Sequence, residues 1–168
     1  LGPYALREAA GHDDKVEAFA VGIPEGKETP SYNSLFIVKP ISRIKLLADV
    51  KNTVIGLGDE YSTSGREVPK RELAEIGIDI DDESTFAKVM TMENHDSAIR
   101  AVLEEKVDVA AVSSVNLESM VVNGSVKSSD FRIIHQSSDI PGAPLVCASN
   151  LSPLLKKKLK ELKNKFNN

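Results

Sequence analysis

The sequence predicts an α/β fold with a mostly parallel sheet, and three observations carry that expectation. Apolar strand-like runs alternate with amphipathic helical segments of about ten residues, the pattern of successive βαβ units. Two of the runs, Thr53-Val54-Ile55-Gly56-Leu57-Gly58 and Val107 to Val112, are continuously apolar, as strands buried on both faces are. The first of them runs into a polar loop, Asp59 to Gly65, that opens a helix.

In chain order, Val16-Glu17-Ala18-Phe19-Ala20-Val21 reads as a strand, followed by a loop containing Pro24, Gly26 and Pro30. Tyr32 to Val38 is a second strand, ended by Pro40. Ser42 is expected to cap a short helix with Ile44, Leu47, Ala48 and Lys51 at helical spacing. After the 53–58 strand, a helix is expected from about Arg66 to Glu75, stopped by Gly77. Phe86 to Met92 is a strand, and Asn94 or Asp96 starts a helix presenting Ala98, Ile99, Val102 and Leu103 on one face. The run 107–112 is a strand, and Leu117 to Val122 is helical up to Asn123-Gly124. Phe131 to His135 is a strand, Pro141 and Pro144 bracket a turn, and Leu151 to Phe166 is the last helix.

Composition narrows the function. A chain of 168 residues suits one domain or two small lobes. Twenty-one basic and 25 acidic residues give a net charge of −4, which argues against a nucleic-acid partner. The lysines at 156–158, 160, 163 and 165 read as the solvated face of a C-terminal helix. Cys147 is the single cysteine, so no intramolecular disulfide forms, and its apolar surroundings suggest a small buried hydrophobe. No run approaches 18 apolar residues, the length of a membrane-spanning helix. The chain opens at Leu1 without a signal-peptide pattern, which leaves open a leader or lipid anchor removed earlier.

The chemistry concentrates in Ser62-Thr63-Ser64-Gly65, between a strand and a helix. The first turn of a helix leaves backbone N–H groups without partners and carries about half a positive charge. Such a terminus receives oxyanions, which need donors only. An equally simple reading makes one of these serines an ordinary N-cap. Gly56-x-Gly58 lacks the third glycine of a dinucleotide fingerprint, and no Gly-Lys-Ser/Thr follows. His95 opens the next helix, where it could donate to a bound anion or simply sit on the surface. His12 and His135 have no partners at metal-ligand spacing, and no metal or cofactor is implied. There is no Gly-x-Ser-x-Gly elbow, so no catalytic residue is assigned.

The order Tyr32-x-Ser34, Gly58-Asp59, Ser62-Thr63-Ser64-Gly65, Pro69, His95, Val107-Asp108-Val109-Ala110 and Ile140-Pro141-Gly142 resembles the phosphonate- and phosphite-binding proteins of ABC transporters. The resemblance covers nearly the whole chain. It implies a type 2 periplasmic-binding-protein fold, a flytrap with ligand held between α/β lobes joined by two crossing strands. It further implies that Ser62, Thr63, Ser64 and Gly65 bind phosphorus-bound oxygens and that His95 contributes from the same lobe. Asn33 falls where aminophosphonate-binding relatives often carry an aromatic residue beside the cleft. Val115 and Ala143 align with acidic residues that such relatives use for an ammonium group, which favours phosphite, methylphosphonate or phosphate.

Family members usually carry about 75 or more residues before the segment equivalent to Leu1-Gly2-Pro3. The resemblance therefore implies one complete lobe, 37–139, with 1–36 and 140–168 forming a partial second lobe. The implied partners are a small phosphorus oxyanion and the membrane permease of an ABC transporter. The implied location is periplasmic or extracellular, with lipid anchoring as an option. A ligand-sensing domain on the same fold is the alternative, and an enzyme would need a general base beside the serines, for which His95 is the one candidate.

Overall fold

The computed structural model describes residues 2–12, 15–23, 29–82 and 84–166. The elements in chain order are α1 (Pro3–His12), β1 (Val16–Val21), β2 (Ser31–Tyr32), β3 (Ser34–Val38), β4 (Val54–Leu57), α2 (Val68–Glu75) and β5 (Lys88–Thr91). They continue with α3 (His95–Leu103), β6 (Val109–Ser113), α4 (Ser114–Val122), β7 (Arg132–Gln136), β8 (Ile140–Pro141), β9 (Pro144–Ala148) and α5 (Pro153–Phe166). The chain divides into a larger unit, Tyr32–Ile140, and a smaller one made of Leu1–Ser31 with Pro141–Asn168.

In the larger unit a five-stranded sheet has the order β5-β4-β6-β3-β7. β4 runs parallel to β5 and β6, whereas β3 is antiparallel to both β6 and β7. Four strands thus share one direction and β3 alone opposes them. The central strands β4, β6 and β3 are buried on both faces, which explains the continuous apolar runs. Along β3, Leu35 and Ile37 face one core with Ile99, Val102 and Met120, while Phe36 and Val38 face another with Leu57, Leu73 and Ile78. That split follows from the period-two alternation of a strand. His135 on β7 and Glu72 on α2 meet at 2.6 Å, tying the helix to the sheet edge.

Two local departures from the sequence expectation have clear causes. Ser42 does not cap a helix running to Lys51. Its hydroxyl accepts the Ile44 N–H at 3.2 Å, and helical geometry is confined to one 3-10 turn, Leu47–Val50. The carbonyls of Pro40, Ser42 and Ile44 are taken by the Arg132 guanidinium at 2.7–2.8 Å, so they do not serve an α-helix. The helix expected from Leu117 instead begins at Ser114, directly after β6. Its end is as read, with Gly124 at φ +77°, and Gly77 after α2 sits at φ +72°. Glycine reaches that left-handed region without a Cβ penalty.

In the smaller unit β1 and β9 pair antiparallel, with a register shift between Ala18 and Ala20. Pro144 opens β9, where the sequence suggested only a turn. Cys147 lies on β9 and is half-buried, its Sγ 3.8 Å from Glu17 Oε1. It is less enclosed than its apolar neighbours suggested, because a two-stranded ribbon covers a side chain on few sides. Lys156 is drawn out of the solvated lysine face by Glu17, at 2.7 Å. Leu145, Leu154, Leu155 and Leu162 are exposed. Pro24 and Gly26, and the side chains of His12, Lys160, Lys163 and Lys165, lie outside the described residues.

Leu73, fully buried on α2, tests the packing that seats this helix. Leu73→Ala is expected to lower unfolding free energy by about 2–5 kcal/mol. Ile41→Ala, at a residue 87% exposed, should stay within about 0.5 kcal/mol of the parent. Urea denaturation checks both, and an unchanged Leu73→Ala midpoint would contradict the packing described.

Candidate oxyanion site

The site is built on a close approach of backbone. The Gly58 N–H donates to the Gly65 carbonyl at 2.8 Å. A Cβ on Gly58 would stand 2.8 Å from both Cβ and Oγ of Ser62, and one on Gly65 would stand 3.1 Å from the Gly58 Cα. Neither position has room for a side chain. Between them the Asp59 carboxylate accepts the Tyr61 N–H at 2.9 Å, and the Asp59 carbonyl accepts the Ser62 N–H at 3.0 Å.

Ser62 is the N-cap, its Oγ accepting the Gly65 N–H at 3.1 Å. Its carbonyl receives two donors, the N–H of Arg66 at 3.1 Å and of Glu67 at 2.9 Å. The first turn, Thr63–Glu67, is therefore a wide π-type turn, with the Val68 N–H reaching the Thr63 carbonyl. It continues into α2, so the helical path starts three residues before Arg66. Thr63, Ser64 and Gly65 are buried.

Two further elements close on this turn. Tyr32 and Ser34 lie two positions apart and therefore face the same side of the chain. Burial pushes the pKa of the Tyr32 phenol up, and the side chains of Ser64 and Thr63 beside it pull it part of the way back. Ser34, 1% exposed, donates its hydroxyl to the Ser64 carbonyl at 2.6 Å. From the start of α3, His95 Nε2 approaches Ser64 Oγ at 3.3 Å, and the Ser113 N–H at the end of β6 donates to Nδ1 at 3.3 Å. Asn94 is the residue that caps α3, accepting the Ser97 N–H at 2.8 Å, which leaves His95 clear of that task.

Ser62, Thr63, Ser64, Gly65 and His95 are thus brought together. Asn33 is not. Alternation turns its side chain to the other side, where its amide donates to the Ser137 carbonyl at 3.0 Å and to Asp139 Oδ1 at 3.1 Å. Tyr32 and Ser34 are the residues the sequence reading left without a role, although their spacing in a strand was the available signal. A cavity of about 500 Å³ lined by Arg66, Asp81, Phe86 and Lys88 lies beside β5, and none of the clustered hydroxyls or His95 lines it. Among the described residues no group of three or more His, Cys, Asp or Glu is placed to hold a metal.

A model of the periplasmic substrate-binding proteins of phosphonate ABC transporters matches residues 1–167. The chain belongs to this family. The phosphonates-binding periplasmic protein of Escherichia coli (strain K12) is 34% identical over 136 residues, covering 78% of this chain and 39% of that relative. The binding component of an ABC phosphonate transporter from Pseudomonas aeruginosa superposes with a TM-score of 0.82 at 30% identity, covering 94% of this chain and 53% of the other. PhnD1 from Prochlorococcus marinus, solved in complex with methylphosphonate, gives 0.78 at 23% identity, covering 95% and 61% respectively. These phosphonate-binding neighbours establish the type 2 periplasmic-binding-protein fold. The chain spans between 39% and 61% of their lengths. Among the described residues no helix is long and apolar enough to cross a membrane.

Burial holds the His95 pKa below its ordinary value near 6.5, against the opposing pull of Asp96 and Asp59. The unfolded chain therefore takes up more protons as pH falls through the ordinary histidine range, so stability present above it is lost on acidification. Between about pH 7 and 5 the unfolding free energy of the parent should fall more steeply than that of His95→Gln. Denaturant titrations across that range check it; parallel profiles would contradict the assignment.

Proposed function

We propose that the larger unit is the oxyanion-binding lobe of a solute-binding protein that passes a small phosphorus oxyanion to the membrane permease of an ABC transporter. The smaller unit is read as part of the other lobe. The observation that carries this reading is the convergence of Ser62, Thr63, Ser64, Tyr32 and His95 on the opening turn of a helix. All can donate hydrogen bonds, and the charged oxygens of a tetrahedral oxyanion accept them. A helix start adds the favourable end of its dipole. Membership of the phosphonate-binding family supports transport over sensing, and the periplasm as the place of work.

The ligand read from these residues is phosphite, methylphosphonate, another small phosphonate or phosphate. Each hydroxyl lost should cost about 1.5–3 kcal/mol, roughly 10- to 150-fold in affinity. Thr63→Ala and Ser64→Ala, titrated with methylphosphonate by calorimetry, are expected to show losses of that size. Parent-like affinity in both would remove the site.

Selectivity is read from the alignment with aminophosphonate-binding relatives. By the resemblance, Val115, exposed at the start of α4, and Ala143 align with acidic residues that aminoethylphosphonate binders use for an ammonium group. An ammonium enclosed without an acceptor costs several kcal/mol. Methylphosphonate should therefore outcompete 2-aminoethylphosphonate. A competition titration in which the amino compound binds tighter would overturn this.

A further inference from the structure

We infer that His95 serves this site as a neutral donor, its single ring proton fixed on Nε2 by the Ser113 N–H that faces Nδ1. The inference rests on the oxyanion reading and concerns how that site meets charge. The Ser113 N–H lies 3.3 Å from Nδ1, within hydrogen-bonding geometry. A backbone N–H cannot accept, so Nδ1 presents its lone pair. The proton of a neutral ring then sits on Nε2, the atom facing Ser64 Oγ at 3.3 Å.

Protonating the ring would set one N–H against another. The Ser113 amide has no easy way to turn aside, because Ser113 is paired with Ser34 in the sheet. The next amide, Ser114 N–H, is held by the Asn33 carbonyl at 2.9 Å. Most of the ionisable surroundings push the other way. Asp96 on α3 and Asp59 after β4 both favour an imidazolium, yet burial outweighs them. β3, β4 and β6 carry no ionisable side chain, and Glu118 on α4 is exposed. The Tyr32 phenol reaches Ser64 and has its pKa raised, so it adds a neutral hydroxyl.

An oxyanion arriving beside a histidine normally draws a proton onto the ring, since an adjacent opposite charge favours the charged form. At this site the Ser113 amide resists that. The anion gains a directed N–H from His95 and no counter-ion, and its binding exchanges no proton at this residue. Its charge is met by N–H and O–H dipoles, which suits a protein that must also release its cargo.

The test is nitrogen-15 NMR of the labelled chain, using long-range correlations that report which ring nitrogen carries the proton. At pH 7 the ring is expected to be neutral with the proton on Nε2, both alone and saturated with methylphosphonate. Its titration midpoint should stay below the ordinary value near 6.5 in the loaded state. A proton on Nδ1, or a midpoint that climbs above that value while the amides of 62–65 shift, overturns this inference alone. If methylphosphonate moves none of those amides, the oxyanion reading falls and this inference falls with it.

Discussion

The hydrogen bond from the Gly58 N–H to the Gly65 carbonyl, 2.8 Å long, is the constraint on which the site depends. It closes the loop between the end of β4 and the first helical turn, with Ser62 pressed against Gly58. A loop closed this tightly fixes where Thr63 and Ser64 stand before any ligand is considered. Groups already held in place lose less freedom on binding, the advantage of preorganisation. The wide first turn has the same origin, since the Ser62 carbonyl accepts from both Arg66 and Glu67. That geometry gathers three hydroxyl-bearing residues at the end of the helix, with Ser62 and Ser64 two positions apart.

The sheet supplies the frame against which this loop is braced. β4 leads into the loop, β6 ends at the amide that orients His95, and β3 carries Ser34 to the Ser64 carbonyl. Three strands thus deliver groups to one place because they are neighbours in the order β4-β6-β3. β3 runs opposite to the other two, so its start lies beside their ends. A sheet with β3 parallel to β6 would bring Val38 there, and Ser34 would lie at the far end. The reversed strand is therefore a requirement of the site as well as a feature of the fold.

What could be read from the sequence divides along the same physical lines. The strands around 54–57 and 109–113 were legible because burial on both faces forces continuous apolar runs. The serine loop was legible because its residues are contiguous and precede an amphipathic segment. The Ser42 segment misled because its periodicity suggested a helix, while its carbonyls belong to Arg132, distant in sequence. β9 was missed because its side chains lack the burial that gives a strand a sharp pattern. Asn33 was taken toward the ligand on alignment alone. In the structure the Asn33 amide is occupied by the Ser137 carbonyl and Asp139, while Tyr32 and Ser34 meet the serine turn.

Tyr32 is the first residue of the larger unit and lies beside the serine turn. It belongs to β2, which pairs with β8, and it packs with Val68 and Ile140. Its phenol at the same time meets Ser64 and Thr63. The hydroxyls at this turn have other claims on them, Ser64 Oγ from His95 and Tyr32, and Ser62 Oγ from the Gly65 N–H. On the proposed reading, donation to an oxyanion would require these hydroxyls to give up bonds they now make to one another. The Ser34 bond to the Ser64 carbonyl, with a buried hydroxyl, is outside that exchange because it points at backbone. It holds the turn against β3 through the turn's own backbone.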